Sequence, residues 1–151
     1  MTPDLTWLNP LSDDALLSLT IYGEARGEPL EGQIAVACCV RNRRRDPDHR
    51  WGETYRAVCL QPSQFSCWSP AGGVTNHDTV LQAARSLLTK ADVVPLLDQA
   101  AWVALGISRG AILDTVRGAN HYHTASLVPR PAWTKGRTPL LQKGGHVFYR
   151  L

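Results

Sequence analysis

Ile21-Tyr22-Gly23-Glu24-Ala25-Arg26-Gly27-Glu28-Pro29 decides how the rest of the chain is read, because it places two carboxylates and a guanidinium where a helix has to stop. Upstream, Ser12 precedes Asp13 and Asp14, an N-cap followed by acidic residues in a first turn. Ala15, Leu16, Leu19 and Tyr22 then recur at helical spacing and predict a buried face. Downstream, Gly27 predicts a left-handed cap, and Pro29 pushes Glu28 toward extended geometry. Glu24 therefore falls in the last helical turn. The negative end of the helix dipole disfavours its anion, and burial would add to that, which is the setting of a carboxyl group that acts as a general acid. The plainer reading of Glu24, Arg26 and Glu28 is a solvated charged turn.

Outward from this turn, Gly32 to Arg45 reads as a second helix whose Ala35, Ala37 and Cys38 allow close packing, ended by Asp46-Pro47. A short helix is expected over Glu53 to Leu60. Gln64-Phe65-Ser66-Cys67-Trp68 alternates polar with apolar and predicts a short strand or extended lip. Helical spacing returns over Asp78 to Lys90 and again over Pro95 to Ser108. A short strand is expected within Asp114 to Thr124, a proline-interrupted loop over Leu127 to Thr138, and a terminal strand over Gly145 to Leu151. The fold class that follows is mainly α (α+β) with a small β region.

With 151 residues, 44% of them hydrophobic, the chain suits one domain spanning residues 1–151. A net charge of +3 is too mild to argue for nucleic acid, though it favours approach to an anionic cell envelope. Arg41, Arg43, Arg44 and Arg45 cluster where cations complement a helix C-terminus. The four cysteines follow no metal spacing. Cys38 and Cys39 read as buried free thiols, and a Cys59 to Cys67 bridge would need an oxidising compartment. Met1 to Pro10 holds no apolar run long enough for a signal peptide or a membrane span, so a protein made and kept in the cytoplasm, with no membrane insertion, is expected.

Four ordered blocks carry a resemblance. Gly23-Glu24-Ala25-Arg26-Gly27-Glu28 with Gly32-Gln33 and the ending Arg41-Asn42-Arg43 is the first, and Gln61-Pro62-Ser63-Gln64-Phe65-Ser66-Cys67-Trp68 the second. Gly118-Ala119-Asn120-His121-Tyr122-His123 and Gly145-His146-Val147-Phe148-Tyr149 follow. Together they resemble the cell-wall hydrolase family of the spore cortex-lytic enzymes and many phage endolysins. The resemblance implies a lysozyme-like fold acting on peptidoglycan, with Glu24 as catalytic acid. For a wall-degrading enzyme without an export signal in Met1 to Pro10, an endolysin-like member is expected, one that waits in the host cytoplasm until a separate holin-like protein releases it to the periplasm or cell wall.

A peptidoglycan glycosidase needs an acid at the scissile oxygen and a groove that holds sugar rings. Phe65, Trp68, Tyr122 and Trp133 offer apolar faces, and Gln64, Asn120 and Thr124 can bond to acetamido and hydroxyl groups. Glu24 is the expected catalytic residue; Glu28, Gln64, Phe65, Trp68, Asn120, His121, Tyr122 and His123 are the expected substrate-binding ones, with no metal or cofactor and a monomeric protein. Glu28 has a structural alternative, pairing with Arg26 or a backbone amide. Two mechanisms stay open. In a lytic transglycosylase one glutamate protonates the leaving oxygen and then takes the proton of the muramic 6-hydroxyl, whereas a muramidase uses water. A different class, a zinc N-acetylmuramoyl-L-alanine amidase, is suggested by His121 and His123 on one side of a strand, with His49, His77, His146 or Asp114 as a third ligand. A non-catalytic wall-binding module is the last alternative.

Overall fold

A computed structural model describes residues 3–91 and 93–151. The first long helix, α1 (Asp13–Ala25), starts where the sequence predicts: the Ser12 hydroxyl accepts a hydrogen bond from the Ala15 N–H at 3.1 Å. Leu16, Leu17, Leu19 and Ile21 are fully buried, because α1 is central and packs on every other long helix. Its end differs from expectation. Arg26 keeps right-handed helical geometry, the Glu28 N–H donates to the Ala25 carbonyl, and Gly27 is not among the glycines with positive φ. A tight turn, not a left-handed cap, therefore leaves the helix. Extended Pro29 caps α2 (Leu30–Arg44), which begins two residues before Gly32 because proline at the N-cap lacks only an N–H that would be orphaned there.

Around this pair lie α3 (Tyr55–Leu60), capped by Thr54, α4 (Val74–Thr89) and α5 (Leu97–Ser108). α4 starts earlier than Asp78, launched by a 3₁₀ turn over Pro70–Gly72. Ser66–Trp68 is a 3₁₀ turn and not a strand, since Cys67 and Trp68 both turn into the core and none of the described strands pairs with this segment.

Three short strands, β1 (His121–Thr124), β2 (Leu141–Lys143) and β3 (His146–Tyr149), form an antiparallel sheet in the order β1-β3-β2. Asp114 belongs to no strand; its carboxylate takes the Gly118 N–H at 2.6 Å and ties a loop. In register, Tyr122 faces Phe148 and Lys143 faces His146, leaving Gly144 and Gly145 as a two-residue turn. Gly144 has φ +52°, and a side chain there would collide with the Glu28 carboxylate. The loop after β1 contains a 3₁₀ turn, Ala132–Thr134, that lays Trp133 on Tyr149 at 5.2 Å between ring centroids. The 151-residue chain has no described helix long and apolar enough to cross a membrane.

Candidate active site

The sheet and the end of α1 face each other across a cleft of about 590 Å³, lined among others by Glu24, Gln64, Phe65, Tyr122, His123 and His146. Glu24 is half-buried at its floor and accepts from both walls. On the helical side, the Cys67 N–H donates to Oε1 at 2.9 Å and the Ser66 hydroxyl to the same atom at 3.3 Å; from β1, the Tyr122 hydroxyl donates to Oε2 at 2.8 Å. The 3₁₀ turn that supplies Cys67 is pinned from behind, where His77 Nδ1 lies 3.1 Å from the Cys67 carbonyl. It can approach only because residue 23 is glycine: a Cβ there would stand 2.5 Å from Cys67 Cβ and 2.7 Å from Val80 Cγ2. Burial, and then the charge of Glu24, push the Tyr122 phenol well above its ordinary range, so it stays a donor.

Arg26 does not pair with Glu28. Its guanidinium donates to Asn76 Oδ1 at 2.6 Å and to the Tyr22 carbonyl at 3.2 Å, and lies 5.0 Å over the Tyr22 ring. Asn76 in turn donates to the Gly23 carbonyl at 3.1 Å and Arg26 reaches the same oxygen at 3.4 Å, so the two together satisfy a carbonyl that the end of α1 leaves open. Glu28 takes the other alternative, the backbone amide. Its Oε2 accepts the Gly145 N–H at 2.8 Å, and Oε1 lies 3.4 Å from His146 Nδ1. It stands behind the sheet wall and does not line the cleft.

Of the other expected substrate contacts, Gln64, Phe65, Tyr122 and His123 line the cleft, whereas Trp68, Asn120 and His121 do not. Trp68 is core: its indole N–H donates to the buried Thr20 hydroxyl at 3.0 Å. Asn120 is structural as well, its side chain pairing with the Leu151 carbonyl and N–H, each at 2.9 Å. That exchange fixes the amide orientation, so His121 Nδ1 donates to Asn120 Oδ1, while its ring packs between Trp51 and Trp133 at 5.5 and 5.3 Å. Burial, then Arg43, Arg50 and Arg137, lower His121 to about 4 and keep it neutral near pH 7.

Alternation does place His121 and His123 on one side of β1, both against Trp133. His121 Nδ1 is engaged by Asn120, and both nitrogens of His123 are engaged. His123 Nδ1 meets the Thr124 carbonyl at 2.8 Å and Nε2 the Tyr149 hydroxyl at 3.3 Å. Three of the candidate third ligands lie elsewhere: His77 is bonded in the core, His49 pairs with Glu53 on the surface, and Asp114 ties its own loop; the fourth, His146, lines the cleft with His123 but turns Nδ1 to Glu28 at 3.4 Å. Among the described residues no three such side chains gather to hold a metal ion. All four cysteines are free and buried, and burial pushes Cys39 and Cys59 up to about 12, so they are unreactive thiols.

Arg43 is the cleft residue that reading the sequence missed. Only 4% exposed, it donates from Nε to the Asn120 carbonyl at 2.6 Å and from Nη1 to Gln64 Oε1 at 3.2 Å, and it lies 4.8 Å over the Phe65 ring. It fixes the polar edge of Gln64 and the apolar face of Phe65 together. Ser66 also went unassigned, and His146 was named only as a possible metal ligand, although both sit inside the quoted motif blocks.

Against known proteins, the description "Cell Wall Hydrolase" matches residues 27–149, which places Glu28 inside the matched stretch and Glu24 just before it. The spore cortex-lytic enzyme of Bacillus subtilis is 27% identical over 143 residues, covering 91% of this chain and 37% of that protein. The spore cortex-lytic enzyme of Oceanobacillus iheyensis is 40% identical over 55 residues, 36% of this chain and 19% of its own length. The chain thus spans little more than a third of the length of the Bacillus subtilis relative. Two solved structures share the architecture at 22% identity and a TM-score of 0.63: the catalytic domain of the Bacillus cereus SleB protein, over 91% of this chain and 89% of that one, and the catalytic domain of the germination-specific lytic transglycosylase SleB from Bacillus anthracis, over 94% and 98%. The lysozyme-like fold implied by the sequence blocks is therefore the fold observed, and the chain belongs to the cell wall hydrolase family.

Proposed function

We propose that the protein degrades peptidoglycan by cleaving its glycan strand as a lytic transglycosylase, with Glu24 as the acid that protonates the glycosidic oxygen. The observation that carries this reading is a carboxyl group at the floor of an open cleft, held by donors from both walls, with an amide and aromatic rings beside it. Gln64, Phe65 and Arg43 offer hydrogen bonds and ring faces to N-acetylated sugars. Among the described residues no second carboxylate lines the cleft, which favours a mechanism whose nucleophile belongs to the substrate over one needing two acids. The printed title of the Bacillus anthracis relative names the same chemistry. Glu24 fixes the site of bond breaking, and Tyr122 and the Cys67 amide hold its oxygens in register while it gives up its proton and becomes an anion.

Mass spectrometry of soluble products from purified sacculi tests the reading. Muropeptides ending in 1,6-anhydromuramic acid are expected; new reducing ends would identify a muramidase, and free stem peptides an amidase, which would overturn it. An endolysin role, as a monomer freed from the host cytoplasm by a holin-like partner, adds one expectation: added protein lyses cells only when their membrane has been permeabilised.

A further inference from the structure

His146 shares the cleft with Glu24 but plays no part in the acid step. It begins β3, beside Lys143 of β2 and Thr124 of β1, and is 7% exposed. Its Nδ1 is buried and has no hydrogen-bond partner; the group facing it is the Glu28 carboxylate, at 3.4 Å. Its Nε2 makes no hydrogen bond among the described residues and is not a buried atom, so it opens on the cleft that the residue lines. Glu28 is itself fixed, because its second oxygen holds the Gly145 N–H at 2.8 Å. The Tyr122 ring lies 5.1 Å from the imidazole, edge to face, and the hydroxyl of the same tyrosine bonds Glu24. A carboxylate behind one imidazole nitrogen and a free lone pair on the other is the arrangement of an oriented general base.

We propose that Glu28 and His146 form a base dyad that serves the nucleophile, so that the acid and base tasks fall to different residues. The proposal rests on the glycosidase reading above. Glu24 passes its proton to the glycosidic oxygen and the bond from that oxygen to muramic C1 breaks. The 6-hydroxyl of the same sugar, or a water, forms the new bond to C1, and its proton moves to His146 Nε2. The imidazolium that results is stabilised by Glu28, and solvent restores both groups. The dyad gives Glu28 a use though it never reaches the cleft, and accounts for a buried ring nitrogen without a closer partner: the pair shortens once the ring is charged. Burial lowers the proton affinity of His146, with Glu28 and then Glu24 raising it and His123 lowering it, so the free enzyme presents the neutral ring that a base requires.

The test uses the full chain on purified sacculi at saturating wall, with wall binding followed by co-sedimentation, thermal melts, and rates against pH. His146→Gln is expected to keep wall binding, lower the maximal rate about 10²- to 10³-fold, and erase one limb of the pH profile. Glu28→Gln keeps an acceptor for the Gly145 N–H, so it tests the charge without losing the clasp. It is expected to slow turnover about tenfold and to move the surviving histidine limb to lower pH, because removing an anion lowers the proton affinity of the ring. Should His146→Gln fail to fold, the Glu28→Gln profile decides. A profile unmoved in Glu28→Gln, or near wild-type turnover in folded His146→Gln, overturns the dyad and leaves Glu24 as sole acid and base. If the wild type releases no glycan fragment at all, the glycosidase reading itself falls, and the dyad with it.

Discussion

The last turn of α1 and the turn that follows it each carry a glutamate, four residues apart, and the molecule uses them in opposite ways. Glu24 faces the cleft and gathers donors from elements far away in the sequence. Glu28 faces away from it and spends its oxygens on the backbone of the β2–β3 turn and on His146. In the sequence the two look interchangeable, since each follows a glycine in the same short motif. What separates them is whether the chain is still helical: a residue on the helix projects from a rigid rod into the cleft, and one three positions past its end points wherever the turn sends it.

The largest expected effect breaks the comparison outright if it fails. Glu24→Gln keeps shape and acceptor but removes the transferable proton, and turbidity clearing of cell walls should slow by about 10⁴-fold with the melting temperature unchanged. Near wild-type clearing by this variant, with a folded but inert Glu28→Gln, would exchange the two roles. Next comes the packing that presents Glu24. Gly23→Ala places a methyl group 2.5 Å from Cys67 Cβ, so it should cost about 1–3 kcal/mol in a denaturant melt and drag activity down with it. A smaller effect is expected at the donor from β1. Tyr122→Phe removes one hydrogen bond to a charged group, worth about 1.5–3 kcal/mol, and since two other donors remain the rate should fall about tenfold at unchanged wall binding. Smallest is Gly27→Ala. The residue has no positive φ and nothing within 4 Å of an added Cβ, so the variant should be neutral or raise stability by about 0.4–1 kcal/mol, where a left-handed cap would make it destabilising.

How much of this was readable beforehand follows from the range of the forces involved. The start of α1, its end within a turn of Glu24, and the strand at His146–Tyr149 were legible because capping, periodicity and alternation are local. β2 was not, since three residues become a strand only by pairing with β3. Ser66–Trp68 alternates like a strand but has no edge to join, so burial of Cys67 and Trp68 wound it into a 3₁₀ turn. Site residues divide in the same way. Glu24, Gln64 and Tyr122, read from motif blocks, line the cleft, whereas Trp68, Asn120 and Arg43 changed places because an aromatic ring, an amide and a guanidinium each serve a core or a cleft equally well. Only tertiary contact decides among those uses.

The clasp between Glu28 and the Gly145 amide joins residues 117 apart, and the Tyr122 bond to Glu24 joins residues 98 apart. The sheet wall of the cleft is therefore unfinished until the strands have been made, whereas the helical wall, joined by Cys67 to Glu24 across 43 residues, can form earlier. At about 5–20 residues per second, a ribosome needs on the order of ten seconds to travel from one partner of the 117-residue clasp to the other. During that interval α1 and α2 can pair locally, but Glu24 has neither its phenol nor a facing wall. The cleft thus carries a built-in delay: the nascent chain presents Glu24 without a facing wall, and the cleft closes only when β3, which runs to Tyr149, has been made and docks.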